Sequence, residues 1–232
     1  MKAILNIFSD FLNLIYPNCC IACDEKLISG EKRICTGCLA DMPKTRFDDF
    51  TDNEVARLFW GKVKVEAAIG LFHFFKGSKY RSMMHKLKYK GEKEIGIDLG
   101  RMIGFEMKDS VFENVDMIVP VPLHSKRLRM RGYNQSEFIA NGIGQILEKP
   151  VYPNLLKRNV YNISQTGKGR TDRWQNVKGI FELTDADFIS GKNVLIVDDI
   201  ITTGSTLEAC ILTMEKKVKC NIYIGAVAIS KK

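Results

Sequence analysis

Two hydrophobic rhythms alternate along the chain from about residue 65 onward. "VEAAIGLFHFF" (65–75), "DMIVPV" (116–121), "NVLIVDD" (193–199) and "NIYIGAVAIS" (221–230) are apolar runs of strand length. Between them apolar residues recur at helical spacing, in "SKYRSMMHKLKY" (78–89), "IGIDLGRMIGFEMKD" (95–109), "QSEFIANGIGQILEK" (135–149) and "GSTLEACILTMEKK" (204–217). In the first of these Tyr80, Met83, Met84 and Leu87 share one face, with Lys79, Arg81, Lys86 and Lys88 elsewhere. Strands alternating with helices predict an α/β domain built on a mainly parallel sheet flanked by helices. In such a domain ligands bind at the carboxyl ends of the strands.

The opening "MKAILNIFSDFLNLIY" has Ile4, Leu5, Phe8, Leu12 and Ile15 at helical spacing, which predicts an amphipathic helix with one buried face. Asn6, Ser9, Asp10 and Asn13 break its apolar run and no small-residue cleavage site follows. No apolar run in the sequence approaches the ~20 residues of a spanning helix. A cytoplasmic location is expected, with peripheral attachment at the inner membrane as the alternative use of that helix. A polar link around "KTRFDDFTDNE" then divides a first part, 1–48, holding the helix and a cysteine-rich segment, from a main domain, 49–232. With 45% hydrophobic residues in 232, the chain can bury a full core.

Five of the seven cysteines fall in "CCIACDEKLISGEKRICTGC" (19–38). Cys20 and Cys23, and Cys35 and Cys38, form two CxxC knuckles that can place four thiolates on one metal. Structural Zn²⁺ suits this pattern best; an iron–sulfur cluster or no metal are the alternatives, and a shifted pairing would use Cys19 in place of Cys20. Four protein ligands leave no open position, so the metal organises a segment with little core of its own and does no catalysis.

Charge sharpens the picture. The net charge is +8, and residues 120–180 alone hold eleven Lys/Arg against three Asp/Glu. Residues 1–48 cancel at six each, so a polyanionic ligand is expected at the later stretch, against a plain solvated basic surface as the alternative.

The densest chemistry lies in "NVLIVDDIITTGST" (193–206). A strand buried on both faces delivers Asp198 and Asp199, whose adjacent carboxylates need a cation or hydrogen-bond donors such as a ribose diol or Mg²⁺. Thr202, Thr203, Ser205 and Thr206 then offer hydroxyls, Gly204 allows close backbone approach, and a helix begins there, which favours a phosphate. Diol and phosphate recognition one loop apart match the size of a ribose 5-phosphate. Neither a Walker loop nor a dinucleotide glycine fingerprint is present.

"VLIVDDIITTGST" resembles the 5-phosphoribosyl-1-pyrophosphate (PRPP) motif of type I phosphoribosyltransferases. The paired knuckles, "VPVPLHSKRLRMRGYNQS" (119–136) and "SQTGKGRTDRWQNVKGIF" (164–181) are together similar to the competence protein F (ComF) family. That resemblance implies a type I phosphoribosyltransferase-like fold with a small N-terminal zinc-ribbon segment. It implies Asp198 and Asp199 as the catalytic, diol-binding pair, and Thr202, Thr203, Gly204, Ser205 and Thr206 as the 5-phosphate cradle, with Mg²⁺ accompanying PRPP. Val121, Pro122, Leu123 and His124 would form the pyrophosphate loop, with Arg127, Arg131 and Asn134 facing the site and Lys126 and Arg129 adding positive charge. Gln165, Lys168, Arg170, Arg173 and Asn176 would lie on a loop closing over PRPP, or on a plain surface loop. His124 is as fit for an exposed loop histidine as for a base. Two functions follow: phosphoribosyl transfer to an unidentified nitrogen acceptor, or a competence factor for DNA uptake that binds single-stranded DNA and uses the PRPP site as a sensor. In the second, Lys86, Lys88, Lys90, Tyr80 and Tyr89, with the basic cluster at 126–131, would track a single strand, with other competence proteins as partners. The glutaminase domain of glutamine amidotransferases is absent from the sequence, which makes glutamine an unexpected nitrogen source.

Overall fold

A computed structural model describes residues 18–160 and 179–231. The expected amphipathic helix at 1–16 and the loop carrying Gln165, Lys168, Arg170, Arg173 and Asn176 lie outside the described residues.

The elements run α1 (Thr36–Ala40), α2 (Glu54–Arg57), β1 (Ala67–Phe74), α3 (Tyr80–Tyr89), α4 (Lys93–Met107), β2 (Met117–Pro120), α5 (Ser125–Arg131), α6 (Gln135–Leu147), β3 (Leu156–Arg158), β4 (Phe181–Leu183), β5 (Asn193–Ile201), α7 (Ser205–Glu215) and β6 (Asn221–Ser230). The sheet order is β1-β6-β5-β2, every pairing parallel, and β3 and β4 form a separate antiparallel pair. Parallel strands need covering on both faces. Along β5 the side chains alternate accordingly: Leu195 and Val197 enter one core with α3, α4 and α6, while Val194 and Ile196 enter a second with α7.

The polar stretch near 44–54 is more ordered than a linker. Lys44 bridges Phe72 antiparallel, and the amides of Thr45 and His73 donate to Leu71 and Pro43, so the segment closes the outer edge of β1. Beyond it Asn53 caps α2, its side chain accepting from the amides of Val55 and Ala56. The opposite edge, at β2, is covered by residues 150–152 through Ile118.

Helices α4 and α6 approach unusually closely. A Cβ added at Gly100 would run into the Ile139 carbonyl, and one at Gly142 into that of Ile97; Gly96 and Gly104 meet Phe138 and Ile146 in the same way. Glycines every four residues along one face of α4 let the two backbones touch. This contact seats the N-terminus of α6 beside the carboxyl end of β5.

The cysteine segment shares the first core. Cys20, Ile21, Ala22, Ile34, Cys38 and Met42 pack with Tyr80, Met83, Met84 and Leu87 of α3. Tyr80 Oη donates to the Cys38 carbonyl at 2.7 Å, and Lys86 pairs with Asp24 at 2.8 Å. Arg33 pairs with Asp98 of α4 at 2.7 Å. No helix among the described residues is long and apolar enough to cross a membrane.

Candidate functional site

The sulfurs of Cys20, Cys23, Cys35 and Cys38 lie within 4.8 Å of one another, with Cys23 and Cys35 at 3.8 Å. Tetrahedral Zn–S bonds of about 2.3 Å set sulfur–sulfur edges near ~3.8 Å, so this donor set fits a four-thiolate metal ion. Burial raises the Cys20 thiol, but the amides of Cys35, Cys23 and Ala22 outweigh it and bring its pKa down to about 6. A thiolate ready at neutral pH is what metal capture requires. The register is that of Cys20: Cys19 is exposed and bridges to Lys26 instead.

The second cluster sits at the carboxyl edge of the sheet. β5 carries Asp198 and Asp199 inside the strand rather than past its end, since Ile200 and Ile201 still pair with β6. The Asp199 amide donates to Asp198 Oδ1 at 2.8 Å, and Ser136 Oγ donates to the same oxygen at 3.2 Å. Asp199 Oδ2 accepts from Gln135 Nε2 at 2.9 Å and pairs with Lys88 Nζ at 2.9 Å. The compensation that two adjacent carboxylates require thus comes from within the chain. Burial, then the Asp199 charge, pushes the Asp198 pKa up to about 7, against the opposing pull of the Asp199 amide, Lys88 and Ser136.

After the strand, Gly204 adopts φ of 75° and starts α7 without a side-chain cap, leaving first-turn amides open at the helix end. A Cβ there would sit 3.1 Å from the Phe59 ring, so glycine is favoured by conformation and a side chain would also crowd that ring. Thr202, Thr203 and Ser205 are exposed, Thr206 half-buried, and the hydroxyls of Thr203 and Ser205 lie 2.9 Å apart. Paired carboxylates and an uncapped helix start flanked by hydroxyls therefore occur on one strand–turn–helix.

The neighbouring loop follows β2. Val121 donates its amide to Val197 at 2.8 Å, and Val121 and Pro122 are buried while Leu123 and His124 are half-buried. The stretch 125–131 is a helix rather than open loop, and none of its residues is buried. His124 caps it, Nδ1 accepting from the Lys126 amide at 3.2 Å, a structural use beside the two readings, loop histidine or base, that the sequence left open.

Asn134 also departs from expectation. It is buried, donates to the Val121 carbonyl at 3.0 Å and accepts from the Ser136 amide at 3.2 Å, so it ties the loop to α6 instead of facing a ligand. Arg131 reaches the site through Gln135, with Nη1 donating to Oε1 at 2.9 Å, and stacks on Tyr89 at 5.0 Å. Tyr133 Oη donates to the Leu87 carbonyl at the end of α3. Every side chain of "RGYNQ" thus anchors one wall of the site, with Gly132 supplying the left-handed turn at φ of 76°.

Lys88, Gln135 and Ser136 contact the acidic pair although the motif did not announce them, and Tyr89 carries the Arg131 guanidinium on its ring. Arg158 of β3 acts on Asp198 through its charge. Burial, then the Arg127 charge, lowers its pKa while Cys210 and Asp198 oppose, and the side chain itself donates to the Val160 carbonyl and lies over the Phe181 ring.

A family model described as "Phosphoribosyl transferase domain" matches residues 142–232, the half of the sheet that contains β5, its loop and α7. The chain is 26% identical over 200 residues to competence protein F of Haemophilus influenzae, covering 81% of this chain and 86% of that one. The chain is similar to ComF proteins along most of its length. Among its other relatives are the DNA utilization protein YhgH of Escherichia coli, 30% identical over 54% of this chain and 56% of its own, and competence protein ComFC of Bacillus subtilis, 27% identical over 62% and 58%. The chain thus spans little more than half the length of these two ComF relatives. Its parallel sheet, flanking helices and N-terminal four-cysteine cluster make it a type I phosphoribosyltransferase fold.

Proposed function

We propose that this ComF-like protein binds PRPP with Mg²⁺ and is a phosphoribosyltransferase-type protein serving DNA uptake in natural transformation. The observation that carries the reading is the pairing of Asp198 and Asp199 with the open N-terminus of α7 across a single turn. In it, the two acids accept hydrogen bonds from the ribose hydroxyls, and the hydroxyls of Thr203, Ser205 and Thr206 and first-turn amides donate to the 5-phosphate. Arg127, Arg131 and Arg158 supply positive potential for the pyrophosphate. Bound Mg²⁺ would supply charge neutralisation for the pyrophosphate. Transfer would break the C1–O bond to pyrophosphate and form a bond from C1 to an acceptor nitrogen, and holding both partners is the chain's main contribution. The relatives named for competence and DNA utilization supply the cellular setting of the proposal.

Calorimetric titration of PRPP with Mg²⁺ into the zinc-loaded wild type and into Asp198→Ala/Asp199→Ala tests it. Binding lost in the double variant is expected; no binding to the wild type overturns the reading. Pyrophosphate release then screens acceptors.

A second reading, single-stranded DNA binding without turnover, is favoured by α5, which buries none of its residues and turns Lys126, Arg129 and Met130 to solvent. Anisotropy of a labelled oligothymidylate should then fall steeply with salt and weaken in Lys126→Ala/Arg129→Ala.

A further inference from the structure

Among the described residues, Lys88 is the cation that ion-pairs with the carboxylate pair, at 2.9 Å from Asp199 Oδ2. Its side chain is 23% exposed and that of Asp199 9%, so the contact is shielded from water on both sides. It is also delivered rigidly. Helix α3 is held at its start by Tyr80 on the Cys38 carbonyl, in its middle by Lys86 on Asp24, and at its end by Tyr133 on the Leu87 carbonyl and Arg131 over Tyr89. A lysine on a freely moving surface helix would not be fixed in this way.

The oxygens divide cleanly. Asp199 Oδ2 takes both Lys88 and Gln135, and Asp198 Oδ1 takes Ser136 and the Asp199 amide. Asp198 Oδ2 and Asp199 Oδ1 receive no side-chain donor among the described residues. Two acceptor oxygens on adjacent residues, backed by an internal positive charge, suit a neutral vicinal diol better than a second cation.

We propose that Lys88 is a positioning residue of the phosphoribosyl site, an internal cation that fixes Asp199 and leaves the other oxygens of the pair to accept sugar hydroxyls without a divalent metal of their own. The proposal rests on the PRPP reading for its ligand. Mg²⁺ then belongs to the pyrophosphate of PRPP and not to the carboxylates. The groups that contact the pair are Lys88 of α3 and Gln135 and Ser136 of α6, with Arg131 acting through Gln135, and the titratable groups that act on Asp198 electrostatically from β3 and α7 are Arg158 and Cys210.

The test uses the full zinc-loaded chain and two ligands, PRPP and ribose 5-phosphate, which keeps the diol and phosphate but lacks pyrophosphate. Ribose 5-phosphate should bind the wild type equally with Mg²⁺ added or left out of chelator-free buffer, which leaves the cysteine-bound metal in place, whereas PRPP should tighten with Mg²⁺. Lys88→Met should weaken ribose 5-phosphate by about tenfold or more at pH 7, and lower pH should weaken it further, while Lys88→Arg stays within about threefold. If Lys88→Met does not fold, Lys88→Gln, which keeps a donor and removes the charge, takes its place. A strict Mg²⁺ requirement for ribose 5-phosphate, or wild-type affinity and pH profile in Lys88→Met, overturns the proposal. Carbon-13 NMR titration of the Asp198 carboxyl in the ligand-free protein is an independent readout. Its midpoint should rise in Lys88→Met, and an unchanged midpoint overturns the role of Lys88. If the wild type binds neither sugar phosphate, the PRPP reading falls and the NMR result alone decides on Lys88.

Discussion

Asp198 is an acid held out of water beside another acid, and its pKa of about 7 ties stability to pH. The folded value lies above the unfolded one, so the native state holds the proton more tightly. Its contribution is fully present below the unfolded pKa near ~4 and is lost as pH rises through about 7. Melting temperature, corrected for other groups by comparison with Asp198→Asn, should therefore fall between pH 4 and pH 7 in the wild type and fall less in the variant. At pH 8 Asp198→Asn should melt higher than the wild type while losing PRPP affinity, a trade of stability against function. Gly204→Ala should weaken PRPP binding and destabilise the fold, since a side chain at φ of 75° also meets Phe59. The carboxylates and the hydroxyl loop were legible because they are contiguous. Lys88, Gln135 and Ser136 were not, because they come from helices 62 to 111 residues away in sequence, and Lys88 looks like any lysine on the polar side of α3. The capping uses of Asn134 and His124 were not legible either, because polar residues beside a loop serve equally well as helix caps.

The elements were legible where the period was strong. The buried face of α3 is Tyr80, Met83, Met84 and Leu87, as its spacing predicts, and β6 spans Asn221–Ser230, the run seen in the sequence. Helix α5 was missed because it buries nothing and so has no apolar stripe to read. The glycines of α4 were equally silent, since their purpose appears only once α6 lies on them. Gly100→Ala should cost about 1–3 kcal/mol by overpacking against a carbonyl that belongs to the backbone, measured by denaturant unfolding. Its damage should reach the site, because α6 carries Gln135 and Ser136. Helix α3 couples the finger to the same place. Removing the metal with a chelator, or Cys38→Ser, should lower the melting temperature and weaken PRPP binding several-fold, whereas a finger that only decorated the fold would change the first and leave the second.

At the scale of the molecule, an α/β alternation was enough to place the two distinctive loops at one edge of a parallel sheet, because crossover connections leave little choice of topology. The packing of the cysteine segment into the main core was beyond a local reading, as it depends on Ile21, Ile34 and Met42 meeting α3 and α4. The sheet has one more consequence. β5 remains hydrogen-bonded to β6 at Ile200 and Ile201, beyond the acids, and the turn to α7 follows at once. No hinge separates the carboxylates from the helix end, so their spacing works as a ruler. If the proposed ligand is right, a sugar phosphate longer by a bond should bind more weakly than ribose 5-phosphate, a preference set by length that calorimetry would measure.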